Sequence, residues 1–152
     1  MKTLLSIFLL LTFGVYAYSE YTPSPEEFSE WKEAAANGDA KAQSALGYMY
    51  TNGHGVPQHH AEAFKWYRKA AEQGHANAQY MLGVIHANGN GVKEDKVQAY
   101  AWYNIAATNQ PLSTRSNIKK DEVAEKMTKE QIVEAQKLSR EMIKANPKLL
   151  AD

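Results

Sequence analysis

Between residues 42 and 71 the apolar positions fall twice into a helical rhythm. Ala42, Leu46, Met49 and Tyr50 lie at i, i+4, i+7 and i+8, the spacing that lines one face of an α-helix. Gly53 then offers the left-handed backbone at which helices end. After a polar loop, Ala63, Trp66, Tyr67, Ala70 and Ala71 trace a second stripe at i, i+3, i+4, i+7 and i+8, closed by Gly74. Large and small residues alternate on both stripes. That suits helices whose backbones approach at the alanines while Trp and Tyr fill the gaps.

The pattern returns 36 residues later. "AQSALGYMYTNGHGV" from Ala42 aligns with "AQYMLGVIHANGNGV" from Ala78, and "AFKWYRKAA" from Ala63 aligns with "AYAWYNIAA" from Ala99. Across 42–77 and 78–113, 13 of 36 positions are identical, which makes the helix pair the unit of construction. A half unit precedes them, since Phe28, Ala34, Ala35, Gly38, Ala40 and Ala42 stand 36 residues before Phe64, Ala70, Ala71, Gly74, Ala76 and Ala78. One pair cannot bury its apolar face alone, whereas stacked pairs can, so the repetition predicts an all-α solenoid of about seven helices. Gly47 and Gly83 recur inside helices despite a cost of ~1 kcal/mol relative to Ala, and predict close crossings that a β-carbon would obstruct.

The ends depart from the unit, as solenoid ends must. "SPEE" offers Ser24 as N-cap, Pro25 at N1 and Glu27 at N3, a capping box. "TKEQ" repeats the device with Thr128 and Gln131 before a helix over roughly 129–145. Ile132, Ala135, Leu138, Ser139 and Met142 share one face of that helix and charged residues cover the other, as on a terminal cap. A further helix, of the first type in the pair, is expected over about 114–127, where the repeat pattern fades. The domain therefore spans 25–145, with 18–24 and 146–152 as short terminal segments.

The first 17 residues read differently. Lys2 precedes the apolar run Leu4 to Val15, and Val15 and Ala17 have the spacing of a small-residue cleavage site. This is the pattern of a secretory signal peptide, cut after Ala17 or Ser19. A 12-residue run rises only about 18 Å as a helix, short of the ~30 Å hydrocarbon core, so no stable membrane insertion is expected after cleavage. The chain has no cysteine. An exported protein of this composition forms no disulfides and relies on packing. Lys and Arg number 17 and balance 17 Asp and Glu, which leaves no basic field for nucleic acid.

His54, His59 and His60 cluster in "GHGVPQHHAEAFKWY" and raise the question of a metal. The repeat places Asn90, Asp95 and Lys96 at those positions: a loop residue, a helix N-cap and a first-turn surface residue. A zinc site needs three or four convergent ligands, and the neighbouring unit replaces all three histidines with polar residues, so no metal site is expected. His75 stands where Asp39 stands upstream and reads as an N-cap. His86 aligns with Tyr50 and reads as a partly buried packing residue. "GNGV" at 89–92 is the turn of the repeat rather than a phosphate loop, and no hydrolase or nucleotide motif is present. No cofactor is expected and no catalytic residue is assigned.

The 36-residue period, with "A-Q-x-x-L-G", "G-x-G-V", "A-x-x-W-Y" and "K-A-A-E-Q-G" in order, resembles the Sel-one-like repeat (SLR) family, which is related to the tetratricopeptide repeat. The closing "MTKEQIVEAQKLSREM" resembles the tail that follows the last repeat in bacterial members. The resemblance covers about residues 28–145 and lapses in the third unit, which lacks "L-G" and "G-x-G-V". It implies a short right-handed solenoid of stacked helix pairs with terminal capping helices. It also implies a protein-interaction scaffold in envelope assembly, signalling or host contact, acting in the periplasm or secreted. The β-lactam hydrolysis associated with cysteine-rich members is not carried over, because their paired cysteines are missing. The alternative is a small exported hydrolase of unknown type.

In such a solenoid the first helix of each pair lines the inner face. Leu46, Gly47, Trp66, Tyr67, Leu82, Gly83, Trp102 and Tyr103 are shared between the units and are expected in the core. Ser44, Tyr48 and Thr51, with Tyr80, Val84 and Ala87 in the second unit, vary between units and are the candidate surface for a protein or peptide partner. Tyr48 and Tyr80 are its candidate anchors, or else they pack against the next unit.

Overall fold

The computed structural model describes residues 23–109 and 114–150, and the segment expected to be a signal peptide lies outside them. Seven α-helices follow one another among the described residues: α1 (Pro25–Ala36), α2 (Ala40–Asn52), α3 (His60–Ala71), α4 (Ala76–Asn88), α5 (Lys96–Asn109), α6 (Thr114–Ala124) and α7 (Lys129–Ala145), then a 3-10 turn at Pro147–Leu149. The chain is an all-helical solenoid, with no strand among these residues. None of the helices is long and apolar enough to cross a membrane.

The helices begin and end for local reasons. Both capping boxes form: the Ser24 hydroxyl accepts from Glu27 N at 3.2 Å, and Thr128 accepts from Gln131 N at 3.2 Å. α2 and α4 each run into a glycine with left-handed φ, +73° at Gly53 and +69° at Gly89, which a β-carbon would disfavour. The long polar-faced α7 ends at Asn146, before Pro147.

Stacking follows the repeat. α2 packs on α3, α4 on α5, and α5 on both α6 and α7. Gly47 and Gly83 show what the units share. A β-carbon on Gly47 would lie 2.7 Å from the Tyr67 ring, and one on Gly83 would lie 2.5 Å from the Tyr103 ring. Each unit thus seats the tyrosine of its second helix on the glycine of its first, twenty residues earlier. Tyr67 and Tyr103 are each 1% exposed. Burial of rings that size repays the helical glycine's propensity cost. Leu46, Leu82 and Trp102 are buried beside them, while Trp66 is only partly buried, with Lys69 Nζ 4.5 Å above its ring.

Buried amides tie the units together. Gln43 Nε2 donates to Ala35 O at 3.0 Å and Gln79 Nε2 donates to Ala71 O at 3.1 Å. Each reaches back eight residues to the end of the preceding helix, whose carbonyls lack intrahelical partners. Each glutamine oxygen then accepts an amide from thirty residues onward, from Gln73 at 2.8 Å and from Asn109 at 2.7 Å.

The C-terminal segment revises the domain boundary expected at residue 145. Asn146 Nδ2 donates to Glu72 O at 2.9 Å, and Leu149, 3% exposed, joins the central cluster. Pro147 opens a 3-10 turn, and burial of the Leu149 side chain helps hold that turn against the second unit.

Candidate functional site

α1, α2, the start of α4 and the start of α6 enclose a concavity of about 720 Å³. Trp31 of α1 and Tyr48 of α2 line it, and each is 41% exposed, so two large aromatic side chains share one open concavity. Met49 and Met81 contribute polarisable floor. Ser44, Thr51 and His54 add polar edges. The His54 ring meets Tyr48 edge-on at 5.4 Å and fixes one wall.

One charged side chain is among those lining this groove: Arg115, at the second position of α6. Its guanidinium stacks 4.3 Å over the Tyr80 ring. No carboxylate among the described residues stands within ion-pair distance of it. The groove therefore offers aromatic area, adaptable thioethers and a positive charge held by a ring.

The sequence-derived surface divides in two. Tyr48 lies at the groove, half-buried Thr51 lines it, and Ser44 lines it from a buried position, 6% exposed. The second-unit residues do not join them. Tyr80 is 6% exposed and sits between Tyr103, at 5.6 Å, and Arg115. Half-buried Val84 and Ala87 pack on the same cluster, with Val123 of α6. The open-face placement of Tyr80 is thus corrected: its ring is buried between Tyr103 and the Arg115 guanidinium of α6. Burial pushes the Tyr103 phenol up, as it does that of Tyr67, where a hydrogen bond with Thr51 opposes it in part.

Trp31 was missing from the candidate set, although the repeat carried a signal. It stands 36 residues before Tyr67, at a core position. The glycine seat for that position lies twenty residues upstream, and for Trp31 that residue is Leu11, in the apolar run near the start of the sequence. Arg115 lies where the repeat pattern fades, and no periodicity pointed to it.

Two of the histidines serve the backbone. His59 caps α3 by accepting from Glu62 N at 3.2 Å, and His75 caps α4 by accepting from Ala78 N at 3.3 Å. Asp95 and Asp39 do the same for α5 and α2 at 3.0 and 2.7 Å. Aspartate and histidine thus exchange at N-caps across the repeat, each presenting a lone pair to an orphan N–H. His86 packs edge-on against Phe64 at 5.7 Å beside a second concavity of about 520 Å³ between α3, α5 and α7. Burial depresses the His86 imidazole, and Asp95 opposes this. Among the described residues, no three His, Cys, Asp or Glu side chains converge to hold a metal ion.

The sequence matches the Sel1 repeat family model twice, over residues 40–75 and 76–110. The frame lies two residues upstream of the self-alignment and follows the helix pairs α2–α3 and α4–α5. Two crystal structures are similar. One is a protective antigen present in uropathogenic Escherichia coli strains displaying an SLR fold: 36% identity over 81% of this chain and 26% of that one, with a TM-score of 0.76. The other is a Sel1 repeat protein from Oxalobacter formigenes: 36% identity over 64% of this chain and 28% of that one, with a TM-score of 0.61. The chain spans about a quarter of the length of each. No curated protein matches it.

Proposed function

As the chain belongs to the Sel1-repeat family, whose members are generally non-catalytic protein-interaction scaffolds, we propose that it is an exported adaptor that binds a polypeptide segment in the Trp31–Tyr48 groove. The observation that carries this reading is the convergence of the two half-exposed aromatic side chains on one concavity beside Arg115, with which no carboxylate among the described residues forms an ion pair. Aromatic and arginine side chains dominate binding energy where partners desolvate them. The groove suits a segment with an apolar anchor next to a carboxylate. The carboxylate would meet the guanidinium, which its stacking on Tyr80 holds in place. Export rests on the charged, apolar and small-residue pattern of residues 1–17.

Selection from a displayed random peptide library tests the binding reading. Enriched peptides should pair an acidic with an apolar residue and lose tenfold or more in affinity on Trp31→Ala, Tyr48→Ala and Arg115→Gln. Peptides that bind all three variants as tightly as the parent would move recognition off this groove. Export is tested by fusing residues 1–22 to a reporter enzyme that is active only outside the cytoplasm, and a silent fusion would remove that part of the proposal.

A further inference from the structure

The C-terminal segment shows how this repeat grips the main chain of a short 3-10 turn. The Leu149 carbonyl accepts two side-chain amides, Gln79 Nε2 at 2.7 Å and Asn109 Nδ2 at 2.6 Å. The amides are bonded to each other, and Gln79 is anchored to Ala71 O. The Leu149 side chain belongs to the cluster that contains Ala70, Ala71 and Ala78, each 0% exposed. A linked amide pair therefore binds a backbone carbonyl, and the leucine joins an apolar cluster that includes three alanines.

The same receptor recurs 36 residues upstream. Gln43 replaces Gln79 and is anchored to Ala35 O, and Gln73 replaces Asn109 and donates to the Gln43 oxygen at 2.8 Å. Ala34, Ala35 and Ala42 replace Ala70, Ala71 and Ala78. The cover is what differs. Ala34 and Ala42 are partly exposed, and Gln73 is exposed. Gly74 is buried at the tail, but its counterpart Gly38 is exposed, with no atom within 4 Å of where a β-carbon would be. Gln43 itself is 5% exposed, and among the described residues its Nε2 bonds to one carbonyl where that of Gln79 bonds to two.

We propose that the Gln43–Gln73 pair is a second docking site, for a partner protein's segment with the chemistry of Asn146–Leu149: a turn-forming Asn-Pro with a leucine two residues after the proline. The partner's carbonyl would bridge the two amides, and its leucine would cover Ala34 and Ala42. This chain's own tail is held at Gln79–Asn109 at high effective concentration, so the occupant of the first unit comes from another protein. None of these residues lines the Trp31–Tyr48 groove, so the two proposals stand or fall separately.

The probe is the peptide Ala-Asn-Pro-Lys-Leu-Leu, titrated into ¹⁵N-labelled protein and followed by NMR. The Gln43 and Gln73 side-chain amides and the Gly38 backbone should shift saturably. Gln73→Ala, at an exposed position, should weaken binding at least tenfold while leaving the helical circular dichroism spectrum unchanged. A peptide with Asp for the first leucine should not bind. Shifts confined to Gly74, Gln79 and Asn109 would mean that the peptide only exchanges with the protein's own tail. That result, the absence of shifts at millimolar peptide, or unchanged affinity of Gln73→Ala would overturn the proposal.

Discussion

The two full units carry the same internal joint and wear different covers. In each, a tyrosine rests on a helical glycine and a buried glutamine reaches back to the previous helix. Around the second unit, α6, α7 and the C-terminal segment close over Tyr80, Val84, Ile105 and Gly74. Around the first, Tyr48, Lys69 and Gly38 stay exposed at the matching positions of Val84, Ile105 and Gly74. Repetition therefore marks what a unit needs for its own packing. Variation marks what lies against it, whether solvent, a partner or the next helix.

The largest expected effect sets one repeat position against itself. Tyr103→Ala should cost about 3–5 kcal/mol, as deletion of a buried aromatic ring does. Trp31→Ala, 72 residues earlier at the same position, should cost roughly 1 kcal/mol, because its ring is already half in water. Urea denaturation measures both, and equal losses would put Trp31 in the core and erase the contrast.

Next comes the pair once expected to act together. Tyr80→Ala should destabilise by about 2–3 kcal/mol and Tyr48→Ala by no more than about 0.5. Thermal melts on the two single variants separate covered from open surface, and a destabilised Tyr48→Ala would merge the two.

The glycine seats should behave alike, which sharpens what the units share. Gly83→Ala and Gly47→Ala should each cost about 1–3 kcal/mol through overpacking, with Gly83 the worse for its closer ring. In a Tyr103→Leu background the Gly83→Ala penalty should shrink. A double-mutant cycle tests this, and full additivity would mean that the tyrosine is not what the glycine accommodates.

The smallest effect is a pH dependence located in the second unit. Burial holds the imidazoles of His75 and His86 below the ordinary value. The folded state then binds fewer protons than the unfolded chain. The stability of these sites is complete above about pH 6.5 and falls away as the pH drops through that value toward the depressed one. His75→Asn keeps an N-cap acceptor and His86→Tyr restores the residue found at position 50. The double variant should lose less melting temperature than the parent between pH 7.5 and 5.

The sequence by itself determined the helices, their caps and their pairing, because these depend on residues within a few turns of one another. Ser24 with Glu27, His59 as a substitute for Asp95, and the ends of α7 all follow from local spacing. The 36-residue identity also implied a close approach at Gly47 and Gly83, since a helical glycine retained twice has to accommodate something, and the structure shows that this is a tyrosine ring. What only the tertiary structure decided was which face stays open. Tyr48 and Tyr80 looked equivalent in the sequence because both fall outside the shared stripe. Their difference comes from Arg115 and α6, which arrive from beyond the region where the repeat is legible. Leu149 looked like part of a loose tail because its partners, Gln79 and Asn109, lie 70 and 40 residues away. Burial is a property of everything that packs around a residue, and no period in the chain encodes that sum.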